Sequence, residues 1–535
     1  MMSAFRGLWK PGAAVAAGAM FAQLAAAAPS VLFMADPQIH NVYGGAVKQT
    51  LGISDWYAGV ARRHPEMNLL SRYALQDFIQ RGEKMAKPGD PAFMVMLGDA
   101  TNAACTGEYE RFMGAVKEGD PNRIVLMAHG NHDSYLMGTI NYWQAVVSEI
   151  DEADLRKFDG PFPVDVSWWP QGAIPEGSKR QGWRALCNQK LAGPGAPMHK
   201  IQWMARYLHS LASPAANGSP GITLEQGSSS GREATFSGVG TPGTVLGGLN
   251  YQLKGAWTRP DRSDHGLTDT YNSFLVQAVD VGDSHRLILV DTAACAFFER
   301  RPHQRWPRFK WQNAGTTACL QERQRKLIQE LVEHNGDKDG RKIIFAGHHP
   351  LNTIQKRDRE AFVELMKTAS GPDWTYISAH THHDLSTTPQ RGGAREINIG
   401  STTDWPMSAS RISFGQSVSA MRIAGPEPTA FYQAPAKYPR GPELCRHLDA
   451  ALALRNLNVK LPDYQSPGTA QTYKACIDKI KGNWNTYERA LYDAETEIAR
   501  RMGDEEYRLR ALGIMAAASQ HEHATFWLDK YITVR

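Results

Sequence analysis

Six stretches of this chain share one grammar: an apolar, β-branched-rich run that halts at a cluster of polar residues of the kind that bind metal ions. They are "SVLFMADPQ", "AFMVMLGDATN", "RIVLMAHGNHD", "RLILVDTA", "KIIFAGHHP" and "WTYISAHTHHD". Runs with so little polar alternation read as strands covered on both faces. Helical periodicity between some of them, over 72–85 and 322–334, makes the fold class α/β, with layered sheets and helices. In such folds sites collect beyond the carboxyl ends of the strands, which is where these polar clusters fall.

Two regions break the pattern. Residues 138–250 are rich in Gly, Pro, Ser and Trp and read as a long loop-rich insertion. Within it, 213–248 has the composition of a flexible linker. "GVGTPG", Gly238 to Gly243, matches G-x-G-x-x-G literally, but no convincing apolar strand precedes it and Pro242 stands where a helix should begin, so it reads as loop. The second region, 436–535, is helical. Tyr473, Cys476, Ile477, Ile480, Trp484, Tyr487, Leu491 and Ile498 recur largely at spacings of three and four and form one apolar stripe. It reads as a helical appendage packed on the main domain. "HEH" in this tail is no metal site, since His521 and His523 on one helix point to nearly opposite sides. There is no internal repeat.

With 535 residues the chain has room for two or three domains. Its first 28 residues resemble a secretory signal: Arg6 and Lys10 make a positive start, an alanine-rich apolar stretch follows, and small residues offer a cleavage site. The apolar stretch is short of the ~20 residues a membrane span needs. No other segment approaches a span, so the expectation is a secreted or periplasmic protein with no membrane span after cleavage. The net charge of +5 is small and includes Arg6 and Lys10, which argues against a nucleic-acid partner. Six cysteines without C-x-x-C spacing fit an oxidising compartment and disulfides. Cys295 with Cys319 and Cys445 with Cys476 are the pairs closest in sequence. Asn217-Gly-Ser219 would accept a glycan only in a eukaryotic secretory pathway.

Together the ends of the six runs supply Asp36, Gln38 or His40, Asp99, Asn102, Asn131, His132, Asp133, His348, His349, His380, His382 and His383. Two divalent cations need this kind of mixture: carboxylates to neutralise charge, one bridging both ions, with imidazoles and an amide oxygen filling the other positions. Such a pair, roughly 3.5–4 Å apart, can clamp a phosphoryl group and acidify a water.

The motifs "D-x-Q", "GDATN", "GNHD", "GHHP" and "AHTH", in that order, resemble those of the calcineurin-like metallophosphoesterase superfamily. The resemblance covers about 30–425, the insertion excepted. It implies a layered αββα sandwich over 29–435 and assigns roles. Asp99 would bridge two metals. Asp36, His382 and a residue near position 38 would hold the first, and Asn131, His348 and His380 the second. His132 would protonate the leaving oxygen, oriented by Asp133. His349 and His383 are neighbours of ligand positions. Purple acid phosphatases carry a tyrosine where this chain has Asn102, so a tyrosinate–iron site is not expected, and Asn102 reads as a contact to substrate or a support behind the ligands.

The common pattern of that family is D-x-H, where this chain has Gln38. Gln38 lies two residues after Asp36 and so shares its side of an extended chain. His40 shares that parity but needs the loop to fold back. Branches of the superfamily that carry "DPQ" favour Gln38; His40 stays the alternative. An amide is a harder ligand than imidazole, so among Mn, Fe and Zn the first site would prefer Mn²⁺ or Fe, or else Mg²⁺, over zinc.

The resulting expectation is an exported metal-dependent phosphoesterase acting on mono- or diesters, of a small molecule or a lipid headgroup. The insertion, with Trp168-Trp169 and Lys179, Arg180 and Arg184, would cover the site. The alternative is a non-catalytic binding or surface protein on the same scaffold, but such a relative should have lost ligands, and here only position 38 departs. A nuclease would show a basic track, which this charge balance lacks.

Overall fold

The computed structural model describes residues 28–40, 63–102, 104–134, 198, 200–211, 221–230, 233–258, 273–293, 318–333, 340–430, 432, 443–459 and 484–533. The leader up to residue 27, Trp168-Trp169, the basic residues at 179–184 and Asn217 to Ser219 lie outside them.

The described strands are β1 (Ser30–Met34), β2 (Phe93–Leu97), β3 (Ile124–Ala128), β4 (Ile222–Ser230), β5 (Glu233–Gly240), β6 (Tyr251–Thr258), β7 (Phe274–Val281), β8 (His285–Val290), β9 (Lys342–Gly347), β10 (Thr375–Ser378), β11 (Ser386–Pro389), β12 (Arg395–Asn398), β13 (Ser408–Phe414) and β14 (Val418–Ala424). The described helices are α1 (Pro65–Lys84), α2 (Thr106–Lys117), α3 (Lys200–Leu211), α4 (Glu322–Glu333), α5 (Lys356–Ser370), α6 (Glu443–Arg455), α7 (Trp484–Arg501) and α8 (Glu505–Thr533).

All six apolar runs are strands, and they form two parallel triplets. β1, β2 and β3 sit side by side in a five-stranded sheet of order β14-β13-β1-β2-β3. β8, β9 and β10 do the same within a nine-stranded sheet of order β11-β12-β10-β9-β8-β7-β6-β5-β4. The remaining pairings are antiparallel apart from β10 with β12.

Period-two alternation shows how the layers stack. Leu287 and Leu289 of β8 and Ile344 and Ala346 of β9 join the core shared with β1, β2 and β3. Their neighbours Ile288, Val290, Ile343 and Phe345 join a second core with Ile328 of α4 and Phe362 and Met366 of α5. The centre of the nine-stranded sheet is thus buried on both faces, which is why its strands there read as unbroken apolar runs. On the far side, α1 lies along the five-stranded sheet, with α2 beside it and α6 and α8 packed beyond it. The result is a mixed α/β protein of two mixed sheets with helices outside them.

β3 ends its sheet, and its exposed edge is covered. Met127 N–H donates to the Tyr207 hydroxyl of α3 at 2.9 Å, and Gln277 Nε2 of β7 donates to Met127 O at 2.7 Å. Tyr207 in turn donates to Gln277 Oε1 at 2.6 Å, so one polar group from each sheet and one from α3 close the seam at that edge.

The linker reading of 213–248 is corrected. Within this tract 222–230 and 233–240 form β4 and β5, which extend the nine-stranded sheet. "GVGTPG" finishes β5 rather than lying wholly in a loop, and no α-helix follows it. The described part of the tail is helical as expected and packs on the main domain: Arg111 Nη2 of α2 donates to Glu495 Oε1 of α7 at 3.1 Å, and Leu491 and Ile498 are buried, while Tyr473, Cys476, Ile477 and Ile480 lie outside the described residues. Cys105, Cys319 and Cys445 are disulfide-bonded. Their partners lie outside the described residues, and with them the pairings proposed from sequence spacing. Among the described residues no helix is long and apolar enough to cross a membrane.

Candidate metal centre

The carboxyl ends of the two triplets meet. Asp36 follows β1, Asp99 follows β2 and Asn131 follows β3; His348 and His349 follow β9, and His380 and His382 follow β10. The loops continue the ladders that lead into them. Asp36 N donates to Gly98 O at 3.2 Å, Gln38 N to Asp99 O at 2.9 Å and Ala379 N to His348 O at 2.9 Å. Two glycines permit the approach. A Cβ on Gly98 would stand 2.7 Å from Gly130 Cα, and one on Gly130 would overlap Asp99 N and Oδ1. The glycines of "GD" and "GNHD" are therefore demanded by two strand ends passing against each other.

Five ligand candidates hold left-handed backbone: Asp36 (φ 51°), Gln38 (39°), Asp99 (53°), His380 (70°) and His382 (56°). Ala104 is the sixth such non-glycine among the described residues. Each costs about 1–3 kcal/mol, which surrounding structure must offset, and such strain gathers where side chains must be aimed.

The side chains converge. His348 Nδ1 lies 2.7 Å from Leu97 O, an oxygen that can only accept, so Nδ1 carries the proton and Nε2 of the neutral ring is bare. That bare nitrogen faces Asn131 Oδ1 at 2.9 Å, His380 Nδ1 at 3.1 Å and Asp99 Oδ2 at 3.5 Å. Asp36 is fully buried, and its Oδ1 has no hydrogen-bond partner; His382 Nε2 stands 3.3 Å from it. The triad Asp36, Asp99, His348, all buried, and the triad His348, His349, His380, with His380 partly exposed, each present ligand atoms within 4.8 Å of one another and could hold a metal ion. Lone pairs aimed at one another in a buried site are what a cation would reconcile, so the residues fit a metal.

The charges agree. Burial, with His348 close by, lowers His380 to about 3, which keeps its ring a neutral ligand. Burial opposes ionisation of Asp99, but the His348 and His132 rings outweigh it and bring the group to about 2. Burial likewise disfavours a charged His382, yet Asp404 and Asp36 on either side overcome it and raise the ring to about 10. A carboxylate pair that binds a proton so firmly is set up for a cation.

Gln38 belongs to the cluster and His40 does not. Gln38 is buried with Nε2 3.2 Å from Asp99 Oδ2. His40 is buried elsewhere, its Nδ1 2.9 Å from Glu108 Oε1 of α2.

The role expected for Asp133 is corrected. Its Oδ1 accepts from Thr101 N at 3.0 Å and its Oδ2 from Gly130 N at 2.9 Å, so it ties the turn together and does not meet the neighbouring imidazole. Burial and the Asp99 carboxylate raise Asp133 to about 7. His132 is oriented by a backbone carbonyl instead: Nδ1 donates to Asn102 O at 2.8 Å, leaving Nε2 as the working nitrogen. Its own N–H donates to Asp99 Oδ1 at 2.7 Å. Asn102 thus supports His132 through its main chain. His349 is held by Thr292, whose Oγ1 is 2.9 Å from its Nδ1 and accepts its backbone N–H at 3.0 Å. His383 is exposed. The aspartate of "RLILVDTA", Asp291, is no ligand; it forms a buried pair with Lys200 Nζ at 2.7 Å.

No family model and no curated protein matches this chain. The site therefore rests on its own geometry.

Two participants escaped the sequence reading. Asp404 Oδ2 lies 2.6 Å from His382 Nδ1, and Arg63 Nη2 donates to the same oxygen at 2.6 Å. The signal was present as a seventh run, "EINIGSTTD", but β12 spans only four residues and ends among hydroxyls.

Proposed function

We propose that this chain is a metal-dependent phosphoric ester hydrolase of the calcineurin-like metallophosphoesterase type. The observation that carries the reading is the bare Nε2 of His348, walled by Asn131 Oδ1, His380 Nδ1 and Asp99 Oδ2 at 2.9–3.5 Å. Asn131, His348 and His380 would hold one ion. Asp36, Gln38 and His382 would hold a second, with Asp99 shared. When bound, Mn, Fe or Zn ions would supply positive charge for a phosphoryl group and lower the pKa of a water.

The chain's own groups supply the rest. Asp99 fixes His132 through its backbone N–H, so the imidazole moves with the carboxylate that both ions would share. With Nδ1 committed to Asn102 O, His132 holds its exchangeable proton at Nε2, where it can pass to the oxygen of a departing alcohol. His132 is only partly buried, as a group that meets substrate must be. The substrate is a phosphate mono- or diester of a small molecule or lipid headgroup, in an exported protein.

The test is hydrolysis of aryl phosphate monoesters and diesters by protein stripped of metal and reloaded with Mn²⁺, Fe²⁺ or Zn²⁺. Turnover should require metal. His132→Ala should lose about 10²–10⁴ of it while keeping its metal, and Asp99→Ala should lose both. A protein that binds no divalent ion would overturn the reading. Metal uptake with turnover untouched by His132→Ala would remove the histidine's role.

A further inference from the structure

The segment from Gly400 to Asp404 does two things at once. Ser401 Oγ donates to Asp36 O at 2.9 Å, Thr402 N to Ala35 O at 3.0 Å and Thr403 Oγ1 to Pro37 O at 2.7 Å, so the loop clamps the backbone that carries Asp36. The same loop then delivers Asp404, whose own N–H donates to Ser401 Oγ at 3.0 Å. The Asp404 carboxylate sits 2.6 Å from His382 Nδ1, and across the ring His382 Nε2 stands 3.3 Å from Asp36 Oδ1. A carboxylate accepts from the proton on Nδ1, so when the ring gives up one proton to become a ligand, Nε2 is the nitrogen left with the lone pair. One short loop thus sets both the position of Asp36 and the tautomer and direction of His382.

Asp404 is itself held. Arg63 Nη2 donates to its Oδ2 at 2.6 Å. Arg63 stands just before α1, and the next residue is fastened to the C-terminal helix: His64 N donates to Glu522 Oε2 of α8 at 3.0 Å, and His64 Nε2 is 3.2 Å from His521 Nδ1. His64 Nδ1 also takes the Tyr432 hydroxyl at 2.8 Å. The tail helix therefore braces the arginine that braces the carboxylate.

We propose that Asp404 is a positioning residue for the metal centre, presenting His382 Nε2 beside Asp36, and that Arg63, anchored by α8, keeps it there. The inference rests on the metallophosphoesterase reading and adds to it a support that none of the five motifs contains. A partner behind a ligating histidine fixes the ring and raises its basicity, and its loss commonly lowers metal affinity 10- to 100-fold.

The experiment is equilibrium dialysis of the full chain against Mn²⁺, with metal analysis and thermal melts of the same samples. Asp404→Ala removes charge and acceptor together; Asp404→Asn keeps an oxygen for Nδ1–H. Wild type should bind two equivalents. Asp404→Ala should weaken one of them about 10- to 100-fold and leave the other. Asp404→Asn should fall between, and Arg63→Met should resemble it. Equal weakening of both equivalents with a collapsed melt would mean a merely structural role and would overturn the proposal, as would two wild-type equivalents in Asp404→Ala. Wild type binding no Mn²⁺ would sink the metal reading itself, an outcome distinct from these.

Discussion

His348 Nε2 and Asn131 Oδ1 lie 2.9 Å apart although the His348 proton is committed to Leu97 O on the other side of the ring. In the neutral ring the two lone pairs would repel at that separation. With the buried carboxylates of Asp36 and Asp99 beside them, they make a centre that added positive charge should stabilise. Divalent metal should therefore raise the melting temperature, and chelation should lower it reversibly. At free Mn²⁺ of 100 times its dissociation constant the gain is about 2.7 kcal/mol per independent site. Differential scanning calorimetry across a Mn²⁺ series checks this; a melting temperature indifferent to metal would refute it.

Gln38 and His40 should separate cleanly by mutation. Gln38→Ala removes a group that touches the shared carboxylate, and Mn²⁺ affinity should drop with little change in the melt of the metal-free protein. His40→Ala should do the reverse. It strips the buried Glu108 of a hydrogen-bond partner, costing about 1–3 kcal/mol, while metal uptake stays as in wild type. Dialysis and urea unfolding of the two variants decide the assignment. Loss of metal in His40→Ala alone would reverse it.

The strand scaffold was legible because burial on both faces writes an unbroken apolar run, and all six such runs are parallel strands ending at the centre or beside it. β4 and β5 were not legible, for a packing reason. The space at Gly238 is filled by Leu224 and Leu253 from neighbouring strands, and that at Gly255 by Phe236. The sheet's bulk there is supplied across strands, so the local composition imitates a linker. Parity assumes an extended chain, but Asp36 and Gln38 both hold left-handed backbone, and Gln38 reaches the cluster through Asp99. What parity cannot reveal is a backbone partner, and the group that orients His132 is the Asn102 carbonyl. Asp133 was misread because adjacency in sequence says nothing about a turn that folds its carboxylate inward onto Gly130 and Thr101. Asp404 is 22 residues beyond His382 in sequence and meets it only through the pairing of β10 with β12.

The crossing of Gly98 and Gly130 makes a sharp steric forecast. A methyl group on Gly130 must displace the Asp99 main chain, and one on Gly98 would press on Gly130 and on His348 Nδ1 at 2.8 Å while holding φ at +84°. Neither obstacle is the flexible end of a side chain. Gly130→Ala should destabilise the fold by about 1–3 kcal/mol or more and abolish metal binding, because the Asp99 carboxylate moves with its backbone. Gly119→Ala is the control: its φ of 80° is close to that of Gly98 but it has open space around it, so it should lose some stability and keep its metal. Equal metal affinity in Gly130→Ala and Gly119→Ala would show that the close approach does not matter.

The seam between α8 and the start of α1 should leave a signature in the pH dependence of stability. Burial, opposed by Arg63 and reinforced by Asp404, raises the Glu522 carboxyl from 4.5 to about 7. Between those values the folded chain holds a proton that the unfolded chain has released, so this group's contribution is full below pH 4.5 and is lost as pH rises through 7. His64 acts oppositely. Burial, with His521 and Arg446, lowers it from 6.5 to about 3, so its contribution is full above pH 6.5 and is lost as pH falls toward 3. In wild type the two slopes oppose each other between pH 4.5 and 6.5. Glu522→Gln keeps an oxygen for His64 N–H and removes the titration, so the His64 slope should emerge. The variant's unfolding free energy should climb through that window where the wild type's stays flatter, and its advantage should persist above pH 7. Urea unfolding followed by tryptophan fluorescence from pH 4 to 8 would test it, and parallel profiles for the two proteins would show that Glu522 does not hold its proton at this seam.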